Sequence, residues 1–285
     1  MKLLKLIVEP KSSFVSYPKA DTIFGHFAYH LFLDKNDVLQ DYLEEKPKII
    51  FSDFLPDGYV SKPTLPLNFF SVSDSDKKEF RKKQWISFAN LQKGNLQECE
   101  NLEFFSKKTV VRNSINRNTY TTDDSGVFAP YGVEELEFRR IISLYVLFDE
   151  ESFSVGEIEQ RLNKMGKYGF GKKSSTGKGQ FQVKIDENFR GFSDVKSNYY
   201  LTLSPSFLNN KADNITKAYY DTFNRFGKFA NSSTPFKKPV LMAQSGAVVK
   251  LKEKKEYIGK AMNNGYDKVS FVQGYSIVVP FQFEE

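Results

Sequence analysis

Hydrophobic and polar positions along this chain switch between two periods, and the switches outline its elements. Lys2–Glu9 sets Leu3, Leu4, Leu6, Ile7 and Val8 among charged residues, which predicts a strand. Asp21–Leu33 changes to helical spacing, with Ile23, Phe24, Phe27, Ala28, Leu31 and Phe32 on one stripe and Asp21 or Thr22 as the N-cap. A strand is predicted at Lys48–Phe54, followed by an irregular segment punctuated by Pro56, Gly58, Pro63 and Pro66. Asp76–Asn90 reads as a helix carrying Phe80, Ile86 and Phe88. The segment Thr109–Val133 is polar and β-rich, and predicts a projecting hairpin with its turn near Asp123–Gly126.

A long strand, Glu134–Phe148, comes next. The helix Ser154–Met165 follows, with Ser154 as N-cap and Glu157 completing a capping box. Gln180–Ile185 then alternates strictly, as a half-buried strand does. After a polar break at Asp186–Ser197, strands are predicted at Tyr199–Leu203, Pro239–Gln244, Ala247–Lys252 and Val269–Phe283. The order β-α-β, insertion, β-α-β matches the ferredoxin-like (RRM-like) split βαβ unit, an antiparallel sheet with two helices on one face. The expected class is therefore α+β with two such domains. Residues 1–190 would carry the hairpin insertion and a glycine-rich loop, and residues 191–285 would be a degenerate copy.

Composition adds a partner class. The net charge of +6 is moderate, but the charges are segregated. Arg161 to Lys178 carries six cations and no acid, and Thr222 to Lys252 another six and none. Ser106 to Thr122 holds Lys107, Lys108, Arg112 and Arg117 with none before Thr122. Acids gather instead in Asp34–Glu45, Glu98–Glu103 and Asp149–Glu159. Such segregation is the footprint of a polyanion binder. A single cysteine, Cys99, excludes an internal disulfide framework and fits a reducing cytosol. The amino terminus is too short and too charged for a signal peptide. No apolar run approaches the roughly 20 residues needed to span a bilayer, so a cytoplasmic protein without membrane partners is expected.

Chemistry concentrates in Gly169, Phe170, Gly171, Lys172, Lys173, Ser174, Ser175, Thr176, Gly177, Lys178 and Gly179. Glycines let a backbone approach a ligand closely, and exposed amides with lysines suit phosphate. Five residues separate Gly171 from Gly177 and Gly179 follows Lys178, so Walker spacing fails; Ser174 likewise breaks a dinucleotide fingerprint. The loop also runs from helix to strand, the reverse of a P-loop. An extended nucleic-acid backbone fits better, with Phe170 or Tyr168 able to stack on an unpaired base. Catalysis has little to draw on, since His26 and His30, one helical turn apart, are the only histidines. No catalytic residue, metal or cofactor is assigned. Phe69, Phe70 and Trp85 are candidates for a protein interface, with core burial the plainer role.

Several segments, taken in order, resemble the RAMP superfamily of CRISPR–Cas proteins. They are Asp21-Thr-Ile-Phe-Gly25, Asn113-Ser-Ile-Asn-Arg-Asn-Thr119 and the glycine-rich loop. Asn224-Arg-Phe-Gly-Lys228, Phe236-Lys-Lys-Pro-Val240, Ser245-Gly-Ala-Val-Val249 and Gly274-Tyr-Ser-Ile-Val278 resemble the subunit of type III-A (Csm) effector complexes that caps the crRNA 5′ end, with the type III-B counterpart similar. Lys19 and Ala20 depart from the His–Ser pair common before the Asp-Thr, and Asn116 stands where Asp is common. The resemblance implies a non-catalytic subunit that holds the crRNA 5′ handle. It also implies docking to a large polymerase/cyclase-like subunit and to backbone RAMP subunits, with the hairpin acting as a thumb at the guide–target RNA duplex. RNA contacts are implied for the loop, for Asp21 and Thr22, and for Arg112, Asn113, Ser114, Ile115, Asn116 and Arg117. They are implied too for Lys237, Lys238, Ser245 and Gly246. The alternative within the superfamily is a metal-independent crRNA-processing endoribonuclease.

Overall fold

Strand β1 (Lys2–Pro10) lies between two antiparallel neighbours, β8 (Ile142–Phe148) and β9 (Phe181–Ile185). Its registers run from Lys2 opposite Phe148 to Val8 opposite Ile142, and from Leu6 opposite Ile185 to Pro10 opposite Phe181. β2 (Ile49–Phe51) and β3 (Leu55–Pro56) pair with the far side of β8, so the sheet order is β2-β8-β1-β9. The computed structural model describes residues 1–44, 46–123, 126–229, 235–266 and 270–285. Helices α1 (Ala20–Leu33) and α4 (Val155–Tyr168) pack on each other, α1 against β2 and α4 against β9.

Both helices show why local pattern is an incomplete guide to ends. Ser154 caps α4, its Oγ accepting from the Glu157 amide at 3.2 Å, but the Glu157 carboxylate accepts from Arg161 Nε at 2.9 Å rather than closing the box. On α1 neither Asp21 nor Thr22 is the cap. Lys19 holds that position, and the Ala20 amide donates to Asp53 Oδ1 at 2.8 Å, a cap supplied from 33 residues away. Phe32, expected on the buried stripe, is exposed in the last turn of α1.

The segment expected to be one helix, Asp76–Asn90, divides into α2 (Lys77–Lys82), β5 (Trp85–Ser87) and α3 (Phe88–Gln92), with β5 paired to β4 (Tyr59–Ser61). The expected long strand Glu134–Phe148 is two strands. β7 (Tyr131–Phe138) pairs with β6 (Phe105–Arg112) in its own two-stranded sheet, and a break at residues 139–141 starts β8. Between β6 and β7, residues 117–123 are exposed, and the turn expected near Asp123–Gly126 includes Asp124 and Ser125, which lie outside the described residues.

A second antiparallel sheet has the order β11-β14-β10-β18-β15, built from β10 (Tyr199–Thr202), β11 (Ile215–Tyr219), β14 (Val248–Leu251), β15 (Tyr257–Gly259) and β18 (Tyr275–Pro280). Two small ribbons accompany it: β12 (Thr222–Arg225) with β13 (Val240–Ala243), and β16 (Met262–Asn263) with β17 (Phe271–Val272). Among the described residues after 190 no helix forms, so this half lacks the helices a full βαβ copy would carry. The expected strand Val269–Phe283 is interrupted at Gln273-Gly274, and Val269 lies outside the described residues. One apolar cluster joins the two sheets, running from Leu4, Phe27 and Phe51 to Leu201, Val248, Ile277 and Phe281.

Candidate nucleic-acid interface

The glycine-rich loop leaves α4 through Gly169 and reaches β9 through Gly179. It is pinned at its neck, where the Phe170 amide donates to the Gly179 carbonyl at 2.9 Å. Gly169 sits at φ 91°, and a Cβ there would lie 2.5 Å from the Lys178 carbonyl oxygen, so no side chain fits. Phe170 is fully buried, its ring 4.9 Å from His26 and 6.2 Å from Phe14. It anchors the loop, and the base stacking expected of it is sterically closed. Tyr168, 65% exposed, keeps an open ring.

Beyond the neck the chain turns through Lys173 in the left-handed region and a single 3-10 turn at Ser174–Thr176. The amides of Lys172, Lys173, Ser174 and Ser175 have no protein acceptor among the described residues, while those of Thr176 and Gly177 close the turn. Lys172 is exposed and has no acid partner among the described residues. Lys173 Nζ lies 5.2 Å from the Tyr131 ring centre and 3.2 Å from its hydroxyl, bringing the loop against the start of β7.

Lys178 differs from its neighbours. Its Nζ donates to Glu135 at 2.6 Å and to Ser13 at 2.8 Å. Arg112 Nη2 donates to the other Glu135 oxygen at 2.9 Å. Burial works to raise the Glu135 carboxyl, but hydrogen bonds from Lys178, Ser13 and Arg112 outweigh it and hold the group at about 2. Two expected RNA-binding cations, Lys178 and Arg112, are thus committed to an internal carboxylate that ties the loop to the hairpin.

The histidines are also engaged in the scaffold. His26 Nε2 accepts from the Gly171 amide at 3.3 Å, which requires that nitrogen to be unprotonated. Burial, with a smaller contribution from His30, lowers its pKa to about 4. His30 is buried with its ring 5.4 Å from Tyr168, and burial followed by Lys164 lowers its pKa. Among the described residues no group of three His, Cys, Asp or Glu side chains could hold a metal.

The segment between β1 and α1 forms the far wall of the loop. Gly179 donates to the Ser13 carbonyl at 2.9 Å, and Ser16 faces Gly171. Ser16 also borders a cleft of about 830 Å³ that opens between the β6–β7 base, the start of α1 and the Lys62–Leu65 segment. Two of its cations are matched, Lys19 by Asp53 at 3.3 Å and Lys107 by Glu134 at 2.9 Å. Lys62, Arg81 and Lys83 have no acid partner among the described residues and leave the cleft positive. The sequence offered only the run Arg81-Lys-Lys83 as a signal for this wall, and Lys62 gave none.

The remaining expected contacts do not share one surface. Asn113, Ile115 and Arg117 are exposed beyond β6, with Ser114 and Asn116 half-buried beside them. Thr22 is half-buried, but Asp21 is buried and bidentate with Arg225 of β12, Oδ1 at 2.6 Å from Nη2. Ser245 lines the cleft and donates to Asp53, whereas Gly246 is packed under the Lys62 carbonyl. Lys237 and Lys238 lie apart from the cleft, on the ribbon that extends from β12 and β13.

A scan against protein-family models finds no match, and a search of curated proteins finds none. Among solved structures the chain is similar to a chain of a Csm1–Csm4 cassette in complex with AMPPNP, with a TM-score of 0.62, 18% identity and 99% of each chain covered. The same cassette in complex with pppApA matches with a TM-score of 0.61 at 18% identity, again over 99% of each chain. A chain of the Csm3–Csm4 subcomplex in the type III-A CRISPR-Cas interference complex matches with a TM-score of 0.60 at 16% identity, over 98% of this chain and 99% of that one. The chain therefore shares, end to end, a fold found in these assemblies.

Proposed function

We propose that this chain is a Csm4-type, RAMP-superfamily subunit of a type III-A CRISPR effector complex, and that it holds the 5′ handle of crRNA without cutting it. One observation carries the reading: the fold recurs over the full chain in two kinds of assembly whose common member is Csm4. The β2-β8-β1-β9 sheet with α1 and α4 is the ferredoxin-like unit of this reading, and the β6–β7 hairpin its thumb. The surface supports an RNA role on independent grounds. Among the described residues four loop amides lack acceptors and stand with Lys172 and Lys173 on one side of Ser16, and Ser16 also borders a cleft whose Lys62, Arg81 and Lys83 have no acid partner; both sets of groups suit a phosphate backbone. Both histidines are withdrawn into the scaffold with lowered pKa values, which favours holding over cleavage.

Docking to a large polymerase/cyclase-like subunit and to backbone subunits, in the cytoplasm, belongs to the same proposal. The test is affinity purification of the tagged full-length chain from its host, with sequencing of the bound RNA. The expected result is repeat-derived 5′ ends together with partner subunits. Recovery of the chain free of RNA and partners would sink the proposal, and cleavage of repeat RNA by the purified chain would shift it to the nuclease.

A further inference from the structure

The ribbon that continues β12 and β13 carries a second basic surface whose chemistry differs from that of the loop and cleft. The Lys237 amide donates to the Gly227 carbonyl at 3.0 Å and the Phe229 amide to the Pro235 carbonyl at 2.7 Å, so the pairing extends past the named strands. Strand alternation then sets Phe226, Lys228, Phe236 and Lys238 on one face. All four are exposed, Phe226 at 73% and Phe236 at 64%. Lys228 Nζ lies 4.9 Å from the Phe236 ring centre, and Lys238 Nζ lies 5.4 Å from that of Tyr266, itself 62% exposed. Neither lysine has an acid partner among the described residues, and Thr222 to Lys252 contains no acid at all.

We infer that this face binds single-stranded RNA by stacking unpaired bases on Phe226, Phe236 and Tyr266, with Lys228 and Lys238 meeting the intervening phosphates. Exposed rings cost solvation unless something covers them, and the cations beside Phe236 and Tyr266 add a phosphate partner at those two stacking positions. A duplex presents no free base face and would use only the lysines. The ribbon is rooted in the same wall as the cleft, since Arg225 pairs with Asp21 and the Phe223 ring lies 4.9 Å from Lys19 Nζ. An RNA strand leaving the cleft can therefore continue onto it. The inference rests on the RNA-holding reading but assigns its own residues and a contact that is insensitive to sequence.

The test compares a short labelled oligouridylate with a blunt RNA duplex on the full-length protein. One variant carries Phe226→Leu, Phe236→Leu and Tyr266→Leu, which keeps apolar bulk and removes the π-faces. A second carries Trp at the same positions. The leucine variant is expected to bind the oligouridylate about tenfold more weakly per ring removed, with duplex affinity and salt slope unchanged and with the tryptophan variant at wild-type strength or better. All three rings are exposed, so thermal melting should match wild type. If the leucine variant binds normally while Lys172→Ala with Lys173→Ala weakens binding, the ribbon inference is overturned and the RNA-holding reading stands. If neither set changes affinity, both fall. Unchanged RNA affinity with loss of a co-purifying subunit would overturn it in favour of a protein contact.

Discussion

Lys173 and Lys178 stand five residues apart in a loop of nearly uniform composition, and their surroundings give them opposite roles. Lys173 rests on Tyr131 in the open, whereas Lys178 is spent on Glu135. Replacing Lys172 and Lys173 by Ala should lower RNA affinity and flatten its salt dependence by about 0.7 in slope per lost phosphate contact, read from binding titrations over a salt series. Lys178→Met should act on the fold, because it removes a charge-assisted hydrogen bond worth about 1.5–3 kcal/mol, and a lowered melting temperature is the check. Glu135 sets a pH window of its own. Its carboxyl titrates at about 2 in the folded chain against 4.5 for an unperturbed group, so the folded state favours the ionised form. The stability this gives is present above about pH 4.5 and is lost as pH falls through about 2. Glu135→Gln should flatten acid unfolding in that window. The decline between 6.5 and about 4 that comes from neutral His26 should remain, because there the unfolded chain binds a proton the folded chain refuses.

Sheet edges are where the elements are most exposed to error, and in the β2-β8-β1-β9 sheet a carboxamide side chain caps a residue on each outer strand. On β9, Asn163 of α4 accepts from the Val183 amide at 2.8 Å and donates to its carbonyl at 3.1 Å. On β2, Gln273 does the same for Phe51, at 2.9 and 2.8 Å, from a fully buried position between the two sheets. Each acts as a one-residue strand, satisfying the two backbone groups an edge leaves open. Gln273→Leu should cost about 1–3 kcal/mol for each backbone group left unpaired, measured by denaturant unfolding. Asn163→Leu should cost less, being nearer solvent, and should promote self-association through β9, visible on a sizing column. Neither device was legible in the sequence, because each partner lies 20 residues or more away. What was legible followed local period: β1, α1, α4, β9, β10, β13 and β14 all fall where alternation or helical spacing placed them. The break between β7 and β8 was not, since Arg139–Ile141 contains neither glycine nor proline and only different partners separate the two strands. Phe170 misled for a related reason: flanking glycines read as exposure, while the fold uses them to turn the ring inward.

The expected domain boundary falls between residues 190 and 191, and contacts cross that line at several depths. Leu201, Val248, Ile277 and Phe281 belong to the same apolar cluster as Leu4, Phe27 and Phe51. Polar ties reinforce it: Arg225 holds Asp21, Ser245 donates to Asp53, the Asp53 amide donates to the Leu203 carbonyl at 3.0 Å, and Gln273 clips Phe51. Asp21 shows the dependence most sharply. Burial pushes its carboxyl up and Arg225 pulls it back, so without Arg225 a buried carboxylate loses its counter-charge, a change that costs about 3–5 kcal/mol. A chain ended at residue 190 would expose one wall of the cluster and remove that partner together with the Asp53 and Phe51 ties. The cleft would go too, because Asp221, Gln244 and Ser245 complete its lining. The full chain should therefore unfold in a single cooperative transition, with calorimetric and van't Hoff enthalpies in agreement. The 1–190 fragment should show no sharp melt and should not bind RNA above the level set by its charge. A fragment that melted cooperatively on its own would instead mean that the N-terminal sheet with α1 and α4 is self-sufficient, and that the shared core is an interface between two domains.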